Sequence, residues 1–387
     1  MKADEFRNSP SGYLVPTIKG AMAFVPNPLP PPVIDLALLT MPLARATHAL
    51  GELSGIGRTL PNPHLLIRPF TRVEAIASSK IEGTVTTMQE LLFLEAEINS
   101  AGARTDTREV NNYTRALEQG LKRVKELPLS KRLICELHKT LLDGVVAERG
   151  GHFTPGEFKT EQNWIGARTI ENARFIPPPP ALAVEGISDL EKYIHEEGRN
   201  IPLLINLAMI HYQFETIHPF PDGNGRVGRL IIPLILCERK AMSQPLLYLS
   251  TFFEKNYDRY IDSMFEVSRS GAWTAWITFF LEGVEEAAKN AVKKSHALQD
   301  LHKIYFSKIQ AARSSALLGK LIDSLFYIPA MTIPVAMVET NISYNSAKNN
   351  IRRLIDLGIL TPRHVLNRPP RPQWFFAEEI MKITNEP

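Results

Sequence analysis

Along most of the chain apolar residues recur at spacings of three and four, the period of an amphipathic helix, and the pattern predicts a mostly α-helical protein. Helices are expected from about Ile34 to Leu53, through LLIRPFTRVEAIASSKIEG ending at Gly83, and over Thr107 to Glu126 and Ser130 to Val146. A Gly/Pro-rich turn, Gly55 to Pro63, separates the first two. Two stretches, Ile201 to Phe214 and Leu230 to Cys237, are apolar almost throughout and read as buried helices. Further helices are expected from Ser250, as cap, to Val267, from Trp273 to Leu298, and from Gln299 to Arg313 as a spacer. Between Gly151 and Pro180 the period changes to alternation around a polar turn, Ala167 to Asn172, which predicts a short β-hairpin. The prolines between Pro26 and Pro32 exclude helix there, so residues 1–33 are expected to lie extended across the body.

The two buried helices flank a polar loop, HPFPDGNGRVGR, from His218 to Arg229. Gly223 and Gly225 can take positive φ and let backbone approach a ligand. With Asn224 between them, their amides can converge at the start of the next helix, where unpaired N–H groups and the dipole attract phosphate. Arg226 and Arg229, three apart, are expected to face the same side and to suit phosphate oxygens. Asp222 is a natural oxygen ligand for Mg²⁺ beside phosphates. His218 is the one side chain in the loop able to accept a proton near neutral pH, and Phe220 is expected to anchor the loop in the core. Earlier in the chain, Ser78 and Glu82 lie one helical turn apart and Gly83 suits a helix end. A carboxylate at a helix C-terminus is disfavoured by the dipole, so Glu82 calls for a cationic partner. His138 and Glu136 read as packing and surface residues.

HPFPDGNGRVGR matches every defined position of the Fic family signature, HxFx(D/E)GNGRxxR, and Ser78 to Gly83 resembles that family's inhibitory motif, (S/T)xxxE(G/N). The resemblance covers about residues 35–300. It implies a Fic-type helical bundle with a β-hairpin flap that docks a target segment by strand addition. It also implies transfer of AMP from ATP to a Ser, Thr or Tyr hydroxyl of a protein, with the chain itself among the candidate targets. His218 would be the base, Asp222 the Mg²⁺ ligand, and Gly223, Asn224, Gly225, Arg226 and Arg229 the phosphate site. Glu82 would pair with Arg229 and occupy the place of the γ-phosphate. Ile165, Gly166 and Phe175 of the flap, and Tyr257 or Asn256, are expected near nucleotide or target. Removal of AMP on the same fold is the first alternative.

With 387 residues the chain exceeds one ordinary core, and three modules are expected: 1–100 with the inhibitory helix, 101–300 catalytic, and 314–387. Apolar residues at 44%, charged residues at 22% and a net charge of +3 describe a globular chain with no overall call for nucleic acid. Cys135 and Cys237 sit in apolar helical patterns and read as buried thiols. With no signal-like or membrane-spanning stretch, a cytoplasmic protein is expected. Residues 314–387 read as a winged helix, with Ser343, Asn345, Lys348, Asn349, Arg352 and Arg353 on one face and a basic hairpin tip. Eight Lys and Arg against six Asp and Glu leave that module at +2. This is modest for DNA, so dimerisation or target docking is as strong an expectation as DNA binding. A DNA-binding transcription regulator with a nucleotide-sensing Fic module is therefore the second alternative, and a homodimer is expected.

Overall fold

Helices with one apolar face can bury it only against one another, and in the computed structural model fifteen of them do so among the described residues, 1–59, 64–96, 104–149, 151–196, 201–312, 316–363 and 373–385. The first group comprises α1 (Leu36–Thr59), α2 (His64–Ile81), α3 (Met88–Ala96), α4 (Thr105–Arg123), α5 (Lys131–Leu141) and α6 (Pro180–His195). The two apolar stretches form α7 (Leu203–Ile217) and α8 (Asn224–Glu238), buried on nearly every side. Around them stand α9 (Ser250–Lys255), α10 (Tyr257–Ser270) and α11 (Trp273–Ala311). Ser130 caps α5 by accepting a hydrogen bond from the Leu133 amide (3.3 Å).

The spine is α11, 39 residues and about 58 Å long. It packs on α1 and α7, and its buried Trp276 donates from Nε1 to the Ala208 carbonyl (2.8 Å). Two helices were expected here, the second of them, Gln299 to Arg313, a spacer; apolar contacts with the first and last thirds of the molecule hold the charged stretch in one rod. Elsewhere a helix is broken instead. Ser250 does not cap the stretch to Val267, because its N–H and hydroxyl bind the Glu74 carboxylate (3.0 and 2.6 Å), and the chain kinks at Asn256 between α9 and α10. Helix α1 runs on through Gly55 and Gly57 to Thr59; packing against the segment near Ser243, 3.2 Å from where a Cβ on Gly57 would lie, overrides the expected turn. Residues 60–63 of that turn lie outside the described residues. Helices α3 and α6 were not anticipated; α6 starts at Pro180, where proline is tolerated in the first turn.

Residues 1–33 are extended apart from a single 3-10 turn, Ala3–Phe6, that buries Phe6. Strands β1 (Gly12–Pro16) and β2 (Met22–Pro26) pair antiparallel, with Tyr13 opposite Val25. The Phe24 ring packs with Phe6 and Phe175 at centroid distances of 5.6 and 5.9 Å. The anticipated flap hairpin is held by a single bridge, Ile165 to Phe175.

After Ala316 come α12 (Ala316–Tyr327), β3 (Ala330–Met331), α13 (Ile333–Thr340), α14 (Tyr344–Asp356), β4 (Thr361–Arg363), β5 (Trp374–Phe376) and α15 (Glu378–Asn385). The sheet order is β3-β5-β4, all antiparallel. The six polar and basic residues singled out on α14 are exposed, while the basic hairpin tip, with Arg368 and Arg371, lies outside the described residues. Helix α2 touches both parts of the molecule: its buried Arg72 binds Glu95 of α3 (Nη2, 2.6 Å) and the Tyr327 carbonyl of α12 (Nη1, 2.7 Å).

Trp276 carries both a large apolar face and a buried hydrogen bond at the crossing of α7 and α11. Trp276→Ala should lower the free energy of unfolding by about 3–5 kcal/mol, read from urea denaturation.

Candidate active site

Helix α7 ends in a left-handed residue, His218 (φ 50°, ψ 58°), and α8 begins after another, Gly223 (φ 77°). The loop between them is closed by Asn224, whose Oδ1 accepts from the Phe220 amide and whose Nδ2 donates to the Phe220 carbonyl, both at 2.8 Å. This side chain, expected at the phosphate, is turned inward and 1% exposed. Phe220 is buried as expected and stacks on His138 at 3.8 Å and 6°. The first amides of α8 remain without intrahelical acceptors, as the geometry of a helix start requires.

Only Gly223 of the two loop glycines has positive φ. Gly225 is helical, and what it provides is space: a Cβ there would lie 2.1 Å from Oε1 of Glu82. The two arginines also diverge. Arg229 turns to α2, donating from Nε to Ser78 Oγ (2.9 Å), and from Nη2 to the Ser78 carbonyl (2.9 Å) and Glu82 Oε1 (2.6 Å). Arg226 turns to α4 and donates from Nη1 to Glu109 (2.7 Å), with both side chains essentially fully buried. They part because buried guanidinium groups must find carboxylates, and the nearest lie on different helices. Gly83 ends the α2 turn with φ 82°.

His218 shares a cleft of about 170 Å³ with Glu82, Gly225 and Arg229, and with Tyr257, Tyr260 and Met264 of α10. Ile165 and Phe175 line it from the flap; Gly166 does not, and shapes the hairpin through its positive φ. Asn256 is also turned away, donating to the Phe252 carbonyl. Asp222, 47% exposed, faces a neighbouring hollow of about 200 Å³ shared with Glu109. One side of the flap is already met by β2, whose Phe24 amide donates to the Ile176 carbonyl (2.9 Å), so that strand edge is partly taken.

The ring of His218 has a defined orientation. Its Nδ1 lies 3.1 Å from the Glu215 carbonyl, which can only accept, so Nδ1 carries the proton and Nε2 keeps its lone pair. Burial, then the charge of Lys159, pushes its pKa down to about 4. Burial also lowers Lys159, to about 7, and raises the Glu215 carboxyl, to about 8. Four residues around the loop went unrecognised in the sequence. His138 accepts from the Gly156 amide at Nδ1 (2.8 Å) and donates from Nε2 to the Asp222 carbonyl (2.9 Å). Lys159, Asn163 and Glu109 reach the loop or its helix from other elements, and no local spacing announces such contacts.

Residues 40–122 match the family model described as Fic/DOC family N-terminal, and residues 128–236 the one described as Fic/DOC family. A probable protein adenylyltransferase of Aquifex aeolicus is 28% identical over 203 residues, 51% of this chain and 55% of its own length. The protein adenylyltransferase Fic of Drosophila melanogaster is 31% identical over 117 residues, 29% of this chain and 21% of its own. The chain thus spans about half of the first relative and about a fifth of the second. A Fic family protein from Desulfovibrio desulfuricans G20 shares the fold with a TM-score of 0.56 at 19% identity, over 90% of this chain and 98% of that one. A Fic domain containing signaling protein from Bacteroides thetaiotaomicron gives 0.53 at 21%, over 66% and 96%. No described helix is long and apolar enough to cross a membrane.

Alanine in place of a helical glycine ordinarily gains about 1 kcal/mol. Gly225→Ala should forfeit that gain and move the Glu82 carboxylate off Arg229 by more than about 1 Å in a crystal structure, given the clash above.

Proposed function

Because the chain belongs to the Fic/DOC family, we propose that it transfers AMP from ATP to a hydroxyl side chain of a protein. The hydroxyl oxygen attacks the α-phosphorus while the bond to pyrophosphate breaks, and the hydroxyl proton passes to Nε2 of His218. The observation that carries this reading is the placing of that ring: its Nδ1–H is held by the Glu215 carbonyl, which leaves Nε2 as the basic nitrogen, and the ring lines the cleft together with Gly225 at the start of α8. Positioning and charge stabilisation do most of such a transfer, and the amides of Asn224 and Gly225 in the first turn of α8 suit the phosphate chain, while the Gly223 amide is held by Asp222 Oδ1 (2.6 Å).

Asp222 fits Mg²⁺ in the way this ion is usually held, through one carboxylate with phosphates and water completing its shell. Its side chain is half exposed, and the described residues contain no cluster of three or more His, Cys, Asp and Glu that would cage a metal by themselves. An ion held there would draw charge from the phosphates. Arg229 would meet the outer phosphates once freed. Arg226, bound to Glu109, would hold the first turn of α8 and add positive charge behind the phosphate site.

Glu82 is the built-in inhibitor in this reading. Its carboxylate holds Arg229 at 2.6 Å and fills the space above Gly225, so it both repels an incoming phosphate and removes that phosphate's partner. The elements after Ala316, with the exposed polar face of α14, support a winged helix as a separate docking module.

Label transfer from ATP to protein tests this. Label on the α-phosphate should arrive and label on the γ-phosphate should not; Glu82→Gly should raise the rate roughly tenfold or more, and His218→Ala should lower it about 10²–10⁴-fold. Transfer from neither label, with cell extract supplying targets, would move the assignment to removal of AMP. A base must be unprotonated to act, so activity disappears as pH falls through its pKa. With His218 held near 4, kcat/KM of Glu82→Gly should change less than about twofold between pH 6 and 5, below the titrations of Lys159 near 7 and Glu215 near 8, where an ordinary histidine would lose most of its base form.

A further inference from the structure

Three contacts from outside the signature loop converge on its first residues. The Lys159 amide donates to the Pro219 carbonyl (2.8 Å). The Lys159 ammonium donates to Oδ1 of Asn163 (2.7 Å), and Nδ2 of Asn163 donates to the carbonyls of His218 (3.3 Å) and Phe220 (2.9 Å). Two carbonyls can only accept, so the amide has one self-consistent orientation whatever the charge on Lys159: NH₂ toward the loop, oxygen toward the lysine. Lys159 is 3% exposed, and among the described residues no carboxylate pairs with it. Burying an ammonium on a single amide oxygen is costly, and a lysine spent in this way has a task beyond solubility.

The task is visible at His218. A non-glycine residue with φ 50° persists only where its surroundings over-determine it. Its amide is tied to the Phe214 carbonyl (3.0 Å), its ring to the Glu215 carbonyl, and its own carbonyl to Asn163. We propose that Asn163, oriented by Lys159, is a positioning residue for the transfer reaction: its amide clamps the backbone on both sides of Pro219 and so aims Nε2 of His218. This rests on the adenylyl-transfer reading for its kinetic test, but not for its structural one.

Asn163→Asp isolates the donor function. The carboxylate is isosteric and still accepts from Lys159, yet it presents an oxygen, not an NH₂, to the two carbonyls. In the Glu82→Gly background it should lower kcat roughly tenfold or more while KM for ATP stays within about twofold, because aim and not affinity is lost. Lys159→Met, which lets the amide turn over, should act in the same direction, and Lys159→Arg should restore most of the rate. Amide hydrogen exchange should accelerate over residues 218–224 in Asn163→Asp and Lys159→Met, with the rest of the chain unchanged. Parental kcat and exchange in both variants would overturn the proposal. So would exchange accelerated throughout the chain with a lowered Tm, since Asn163 would then support the fold as a whole. If Asn163→Asp does not fold, Lys159→Met decides by the same two readouts. If the Glu82→Gly parent transfers no AMP, the functional reading fails while the exchange comparison still decides the clamp.

Discussion

A guanidinium group buried in an apolar core must be surrounded by acceptors, and Arg229 is 2% exposed. That requirement shapes α2. Along its second half and just past its end, this helix presents polar side chains to buried partners: Arg72 to Glu95 and Tyr327, Glu74 to Tyr113 and Ser250, and Ser78 with Glu82 to Arg229. The neighbours adjust to the buried charge. His211, bonded to the Gly228 carbonyl and the Tyr260 hydroxyl, is pushed down to about 3 by burial and then by Arg229, so it stays neutral. Breaking a pair of this kind strands a charge, which is why the Glu82 contact can act as a latch and not as a loose surface bridge.

The signature loop is stiff for a different reason. It is short, it joins two fully buried helices, and it is tied internally by Asn224 and externally by His138 and Asn163. Each external tie comes from a different element, α5 or the segment before the flap, so loop geometry depends on how those elements pack. Pre-organised backbone suits a reaction in which the protein forms no covalent bond and gains most from aim and charge placement.

Local spacing misled wherever the fold offered a better partner. Asn224 sits among glycines whose spacing predicts a phosphate site, yet the Phe220 backbone four residues back uses both its hydrogen-bonding ends. Arg226 and Arg229 share a helical face by spacing and part because Glu109 and Glu82 lie on opposite neighbours. Ser250 looked like a cap and became the partner of a buried carboxylate.

What the amino-acid order determined by itself was everything set by covalent neighbours: helical period, the two apolar segments, positive φ at Gly223 and Gly83, and a dense polar signature between buried helices. The pairing of Glu82 with Arg229 was also legible, through the resemblance of two separate motifs. Only the tertiary structure decided which way each buried polar side chain turns, that α11 is one rod, and that Lys159, Asn163 and His138 hold the loop. The reason is physical: these contacts join residues as far as 255 positions apart, and the free energy of satisfying a buried charge or amide is set by what packing brings within hydrogen-bond reach.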